Sequence, residues 1–327
     1  MTTSALRSAL ALAVAATLAL PAAAYDSLVV FGDSLSDNGN NAIVIGKNAA
    51  QPISNTYVPA QPYGSGTYSN GPVWATDLAA SLGLPLAPSL AGGTDYAYGG
   101  ARTGPAASGF PFSLLAQTGQ FLASHGNTAS SSGLYVLAGG GNNARSALEQ
   151  LLPDGSNFAA VAGDAAAAFA TDIGSMVDAL QAAGAVDILV WDVPNLGLAP
   201  AVAAAGPATA FVATALSNLM NQALAARLAI EGSAVRTFNL FGFATQVAAA
   251  PALFGFADAT TACGGAANAD CSKFLWWDGI HPTAAAHAAI AQAVLVQVAP
   301  IPEPETCALM LAGLAALGWR ARRRFAA

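Results

Sequence analysis

Short apolar runs that alternate with helical segments predict an α/β fold, a three-layer α/β/α sandwich whose mostly parallel sheet has about five strands. Three observations carry this. The strand-like runs are nearly continuous in apolarity, which marks strands covered on both faces. Helix-length segments lie between successive runs, as the crossovers of parallel strands require. No linker long enough to separate domains interrupts the chain between Tyr25 and Pro300.

The strand candidates, in order, are Ser27 to Phe31 (SLVVF), a weaker run from Thr94 to Tyr98, Leu134 to Leu137 (LYVL), Val186 to Trp191 (VDILVW) and Val235 to Leu240 (VRTFNL). Each is short, apolar and of strand length. The helix candidates lie between and after them. Pro72 to Leu82 has Pro in its first turn, which suits a helix start. Ala159 to Ala183 is long and Ala-rich. Ala208 to Glu231 carries apolar residues at Phe211, Leu216, Leu219, Leu224 and Leu228, and Thr283 to Val298 comes directly after His281-Pro282. Asn40 to Gly71 is rich in Pro, Gly, Ser, Asn and Tyr and reads as a long loop; loops of that length are functional or disordered.

Composition excludes several classes. Of 327 residues, 54% are apolar and 9% charged, against about 25% charged in ordinary soluble domains. That is no disordered, charge-rich chain. The formal net charge is −7, and five of the basic residues (Arg7, Arg320, Arg322, Arg323, Arg324) sit at the two ends. The remainder has far more acids than bases and therefore no basic footprint for nucleic acid.

The two ends read as addresses. Residues 1–24 carry one Arg, an apolar run from Ala9 to Leu20, then Pro21 and Ala22-Ala23-Ala24. This is the layout of a secretory signal peptide cleaved near Ala24. Residues 302–327 open with Pro302-Glu303-Pro304, continue through an apolar stretch from Thr306 to Trp319, and end in four Arg within five positions. The stretch is short for a full span of about 20 residues, though flanking Arg can snorkel. Tripeptide, short apolar stretch and Arg cluster in this order resemble a PEP-CTERM sorting signal. The resemblance implies a Gram-negative bacterium, processing by an exosortase-type peptidase, and export to the cell surface or extracellular matrix with a transient membrane anchor; the alternative is a plain C-terminal membrane anchor. Residues 25–301 are then the exported domain. Cysteine usage agrees. Cys307 belongs to the tail, and Cys263 and Cys271 form an even pair in a Gly/Ala/Asn loop, which in an oxidising compartment predicts a local disulfide. There is no Cys-x-x-Cys pair and the three His are scattered, so no structural zinc site is predicted.

In an open parallel sheet, ligands bind beyond the carboxyl ends of the strands, so the residues just past each strand candidate carry the chemistry. Phe31 to Asn40 reads FGDSLSDNGN and places Ser34 at the rim. A Ser hydroxyl is a weak nucleophile until a base activates it; without one, Ser34 is a turn or capping residue. Past Thr94 to Tyr98 come Gly99-Gly100, where backbone N–H groups can approach a ligand with no side chain in the way. Past Leu134 to Leu137 comes AGGGNNA, whose Asn142 amide can aim at the same point. Two or three such donors make an oxyanion hole. Near the end, FLWWDGIHPTAAAH sets Asp278 three residues before His281. At that spacing a carboxylate can accept from His Nδ1–H and orient the ring. His125 lies in a polar loop and His287 on the next helix, without such an acid.

Taken in order, these segments resemble the four blocks of the GDSL/SGNH hydrolase family of serine esterases and lipases, from Phe31 to about His287. Gly32-Asp33-Ser34-Leu35 matches the nucleophile block, Gly99-Gly100 the glycine block, Asn142 the Asn block, and Asp278 with His281 the Asp-x-x-His block. Asp192-Val193-Pro194-Asn195-Leu196 resembles the loop after the fourth strand. The resemblance implies a flavodoxin-like SGNH hydrolase fold and Ser34 as nucleophile, with His281 as base and Asp278 as its orienting acid. It also implies an oxyanion hole from Ser34 N–H, Gly100 N–H and Asn142, with Gly99 the alternative to Gly100. One position departs: Asn143 stands where the family usually has Asp.

The expected activity is hydrolysis of a carboxylic ester through an acyl-enzyme on Ser34, with no metal or organic cofactor. Expected substrates are small acyl esters, lipids or acetylated polysaccharide. The loops Ile43 to Gly71 and Gly104 to Phe112 are expected to line the pocket. Their Tyr57, Tyr63, Tyr68, Phe110 and Phe112 either cradle substrate or pack the loops. The alternative is a non-catalytic polysaccharide-binding surface or matrix protein on the same fold; the intact set Ser34, Gly100, Asn142, Asp278 and His281 argues against it. No Walker pattern supports phosphoryl transfer.

Overall fold

Four of the five apolar runs form a parallel sheet of β1 (Ser27–Gly32), β2 (Gly133–Ala138), β3 (Asp187–Trp191) and β4 (Val235–Phe238), hydrogen-bonded in that order. The structure, a computed structural model, describes residues 25–105, 109–232, 235–265, 269–298 and 313–314. The expected signal segment and nearly all of the expected sorting segment lie outside the described residues.

The weaker run, Thr94 to Tyr98, takes the fifth position along the free edge of β1. Val30 N–H donates to Thr94 O at 3.0 Å and Tyr96 N–H to Val30 O at 2.8 Å, and one parallel bridge joins Val30 to Asp95. The pairing stops at that bridge because the next β1 donor, Gly32 N–H, is taken by Gln117 Oε1, and the other side of the segment is turned back on its own chain, where Asp95 N–H donates to Ala87 O and Ser89 N–H to Asp95 O. Across the sheet the order is therefore 94–98, β1, β2, β3, β4. The chain moves outward from β1 first one way and then the other, so a topological switch point, with its crevice, falls between β1 and β2.

Alternate residues of each strand face opposite helix layers, as the pleat requires. The helices are α1 (Asn40–Ile45), α2 (Trp74–Leu82), α3 (Leu114–Ser124), α4 (Gly141–Leu148), α5 (Phe158–Ala182), α6 (Pro200–Ala203), α7 (Pro207–Leu228), α8 (Leu240–Ala249) and α9 (Ala284–Val298). Leu28, Val30, Val136, Leu189 and Trp191 pack with Trp74 and Leu78 of α2 and Ile290 and Val294 of α9. Val29, Phe31, Leu137, Ile188 and Val190 pack with Phe121 of α3, Phe169 and Ile173 of α5 and Leu216 and Met220 of α7. Four helices match the sequence expectation within a few residues. The expected strand to Leu240 stops at Phe238, because the Asn239 side chain accepts from Gly242 N–H at 2.6 Å and starts α8. The expected loop from Asn40 begins as one short helix, α1, and then runs without regular structure to α2.

A small parallel pair, β5 (Asp258–Ala262) and β6 (Phe274–Trp276), precedes α9. Cys263 and Cys271 form a disulfide, with Cα atoms 5.6 Å apart. The disulfide loop is fastened to the segment after β6, where Gly264 N–H donates to Trp277 O at 3.0 Å. At the other end of the sheet, Tyr25 O–H donates to Val298 O at 3.0 Å and Arg236 donates to Gln297 O at 2.7 Å, so the start of β1 and the end of α9 are tied together.

Joining two cysteines eight positions apart in sequence restricts the unfolded chain by about 2–3 kcal/mol on the loop-entropy estimate. Replacing both Cys263 and Cys271 with Ser lowers the urea unfolding free energy by that amount and leaves the far-ultraviolet circular dichroism unchanged.

Candidate active site

The chain leaves β1 through a turn too tight for a side chain at Gly32. A Cβ there would sit 2.8 Å from Ala138 O and 2.8 Å from Ser36 Oγ. Asp33 organises the turn. Its carbonyl accepts from Ser36 N–H and Asp37 N–H at 3.0 and 2.9 Å, and its Oδ1 accepts from Leu35 N–H at 3.0 Å. Ser34 is thus fixed at the rim and is only 8% exposed. From behind, the Gln117 amide of α3 accepts from Gly32 N–H at 2.8 Å and donates to Gly32 O at 2.9 Å.

Asp278 and His281 lie in the loop between β6 and α9. Trp277 N–H donates to His281 O at 2.8 Å, closing it. Asp278 Oδ1 accepts from Ile280 N–H at 2.8 Å and His281 N–H at 2.7 Å. Its Oδ2 accepts from His281 Nδ1–H at 2.7 Å and from Tyr63 O–H at 2.7 Å. The other ring nitrogen, His281 Nε2, lies 2.9 Å from Ser34 Oγ across 247 residues of sequence. Since the carboxylate can only accept, Nδ1 carries the proton and Nε2 is free to accept from Ser34 O–H. Burial and the adjacent Asp278 charge push the Tyr63 hydroxyl far above its ordinary range, so it remains a donor.

The glycine loop is held by Asp37, which is almost fully buried. Burial pushes Asp37 up to about 6 against the pull of its backbone donors: Gly99 N–H at 2.9 Å, Gly39 N–H at 2.9 Å and Asn41 N–H at 3.2 Å. Gly99 N–H is therefore already engaged. A Cβ at Gly99 would fall 2.1 Å from the Tyr68 ring, and that ring stacks beside His281 with centroids 5.3 Å apart. Asn142, in the first turn of α4, donates one amide proton to Ala101 O at 2.9 Å, which leaves its second proton unassigned.

Asn143 does what the family's usual Asp cannot. Its Oδ1 accepts from Thr103 N–H at 3.0 Å and its Nδ2–H donates to Thr103 Oγ1 at 2.8 Å. The same hydroxyl donates onward to Asp172 Oδ2 of α5 at 2.7 Å. The amide thus ties the segment after Gly100 to the start of α4 and, through Thr103, to the helix layer.

These residues open onto a cavity of about 250 Å³ lined by Ser34, Tyr68, Gly100, Asn142, His281 and Arg145, with Ile45, Val58 and Pro111 among its apolar wall. Of the five loop aromatics expected around the pocket, Tyr68 and Phe110 line it. Tyr63 instead serves Asp278, Tyr57 donates to Gln51 Oε1 at 2.8 Å, and Phe112 packs on Tyr98 with centroids 5.2 Å apart. Among the described residues, no group of three His, Cys, Asp or Glu is placed to hold a metal ion. Sequence reading missed the parts played by Tyr63, Asp37, Gln117 and Asn143. Only Asp37, inside the Ser34 block, carried a local signal, because an acid two residues before Gly39 reads as a turn former.

The family model described as GDSL-like Lipase/Acylhydrolase matches residues 28–294, and the PEP-CTERM protein-sorting motif matches residues 300–324. The chain is 35% identical over 179 residues to Lipase 1 of Photorhabdus luminescens, covering 55% of this chain and 24% of that protein. It is 32% identical over 317 residues to Esterase EstA of Pseudomonas aeruginosa, covering 79% of this chain and 44% of that one. The chain therefore spans less than half the length of either.

The geometry makes two outcomes testable. A carboxylate at position 143 would compete with Asp172 for the single Thr103 hydroxyl proton. Asn143→Asp lowers the unfolding free energy by about 1–2 kcal/mol, and adding Asp172→Asn recovers most of the loss in a double-mutant cycle. Burial, followed by the His281 charge, pushes His287 down to about 3. The unfolded chain takes up that proton near pH 6.5 while the folded chain does not, so this stabilising contribution is complete above pH 6.5 and is lost as pH falls toward 3. His287→Leu removes about 1.4 kcal/mol of that acid-side loss for each pH unit below 6.5, measured as urea unfolding at pH 7 and pH 5.

Proposed function

Because the chain belongs to the GDSL-like lipase/acylhydrolase family, we propose that it is a carboxylic ester hydrolase working through an acyl-enzyme on Ser34. The observation that carries this is the continuous hydrogen-bonded line from Asp278 through His281 to Ser34, at 2.7 and 2.9 Å. His281 Nε2 takes the Ser34 proton as Oγ attacks the ester carbonyl, and Asp278 stabilises the imidazolium that forms. The tetrahedral oxyanion is met by Ser34 N–H, Gly100 N–H and the second amide proton of Asn142. Gly100 is favoured over Gly99 because Gly99 N–H already donates to Asp37. The imidazolium then protonates the departing alkoxide. A water molecule deprotonated by His281 cleaves the acyl-enzyme, releasing the acid and restoring Ser34. Nothing in this cycle calls for a metal or organic cofactor.

The PEP-CTERM motif supports export to the cell surface through an exosortase-type peptidase. Residues 25–301 form the hydrolase domain between a signal peptide and the sorting segment in this reading, and the setting is the envelope or extracellular matrix of a Gram-negative bacterium. Small acyl esters, lipids and acetylated polysaccharide are the substrate classes in question. The similar proteins named as a lipase and an esterase support ester chemistry over the polysaccharide-binding alternative.

Ser34→Ala reduces 4-nitrophenyl ester turnover by roughly four to six orders of magnitude and abolishes labelling by a fluorophosphonate probe; undiminished turnover would defeat the assignment. Tyr63→Phe removes one donor from Asp278 and lowers kcat about five- to tenfold with KM nearly constant. An unaltered kcat would remove Tyr63 from the positioning of the acid.

A further inference from the structure

The cavity wall contains a cation that the hydrolytic cycle does not use. Arg145 lies one helical turn after Asn142 on α4 and lines the same cavity as Ser34, Gly100 and His281. Among the described residues lining that cavity there is no Asp or Glu, and Arg145 is the one permanently charged side chain. Among the described residues, the one hydrogen-bond partner of its guanidinium is Asn142 Oδ1, at a long 3.4 Å.

Two of the other described arginines are ion-paired, while Arg102, outside the cavity lining, only reaches Ser146 Oγ at 3.5 Å. Arg227 bonds Asp178 and Glu231, and Arg236 bonds Asp187. Arg145 is in no ion pair among the described residues, in a chain whose acids outnumber its bases 18 to 11. Asp33 is the carboxyl that feels its charge, but it is buried and holds no hydrogen bond to it. A guanidinium keeps its charge and presents a planar fork of donors matched to carboxylate and phosphate oxygens. In a partly apolar cavity such a contact is stronger than in open water.

Building on the hydrolase reading, we propose that Arg145 selects esters bearing an anionic group, a carboxylate or a phosphate, within a few bonds of the scissile carbonyl. An acylated acidic sugar would present such a group on the alcohol side and a dicarboxylic half-ester on the acyl side. An acylated glycerol phosphate would present it from a lipid headgroup. The anion takes the place that an acidic partner would occupy in a structural pair.

The test uses matched esters that differ only in charge. Acetylated methyl glucuronoside is compared with its methyl uronate ester, mono-4-nitrophenyl glutarate with 4-nitrophenyl methyl glutarate, and acetyl glycerol phosphate with its phosphate dimethyl ester. The wild-type protein is expected to prefer the anionic member of at least one pair in kcat/KM, and the pair that responds identifies the source of the charge. Arg145→Gln should cut that preference by about tenfold to a hundredfold, mainly through KM. Arg145→Lys should restore part of it, and Arg145→Glu should reverse it. Equal losses on both members of every pair would make Arg145 only a positioning residue for Asn142 and overturn the proposal. Absence of any charge preference in the wild type would do the same. Binding is read separately by calorimetry, with the Ser34→Ala protein titrated against the acidic sugar, half-ester and phosphate. Anion binding that Arg145→Gln abolishes upholds the proposal even where no ester is turned over, whereas failed turnover and failed Ser34 labelling count against the hydrolase reading alone.

Discussion

A carboxylate sealed from water has to be surrounded by donors, and the whole site is arranged around that demand at Asp278. Two backbone N–H groups, the His281 ring and the Tyr63 hydroxyl converge on it. An unpaired buried charge costs several kcal/mol, so loss of any donor is felt by the others. The donors come from two distant parts of the chain. Residues 278–281 supply three, while Tyr63 comes from the long irregular segment after α1. That segment also accepts from Gly279 N–H through Tyr57 O at 3.0 Å. What the sequence presents as a floppy insertion is thereby a wall fastened to the acid it supports.

The glycine loop obeys the same demand. Near the switch point the loops after β1 and β2 diverge, and backbone groups that continuing strands would have paired must find other partners. Asp37 collects the N–H groups of Gly39 and Asn41 after β1 and of Gly99 after the 94–98 segment, and Gln117 makes a two-way amide bond to Gly32. With Gly99 N–H bound to Asp37, Gly100 N–H is left without an acceptor among the described residues. The direction in which the loop presents its N–H is thus set by a buried acid one turn beyond Ser34.

Much of this was legible in the sequence, for particular physical reasons. Strands covered on both faces are apolar throughout, so SLVVF and VDILVW stood out. The long Ala-rich helices have few breakers, and the chemistry-bearing residues sit at strand ends where a parallel sheet needs them. Helix α4 was hidden because it opens with Gly-Asn-Asn, a sequence of turn formers. The pair β5 and β6 was hidden because DATTA has no apolar pattern and FLW is only three residues long. The segment 94–98 read as a strand but makes only one bridge to β1, since Gln117, distant in sequence, takes the Gly32 N–H that would continue the pairing. Tyr63 could not be assigned to Asp278 from sequence, since 215 residues separate them and no local periodicity records which of several tyrosines turns inward.

The bond from Tyr25 to Val298 has a consequence for how the molecule is held. Polypeptide enters the body beside the place where it leaves, at the edge where β1 begins, while Ser34 sits past the opposite edge, about 20 Å along a six-residue strand. Anything attached through the terminus of α9 grips the protein from the back. The cavity beside Ser34 then lies at the far end of β1 from that attachment.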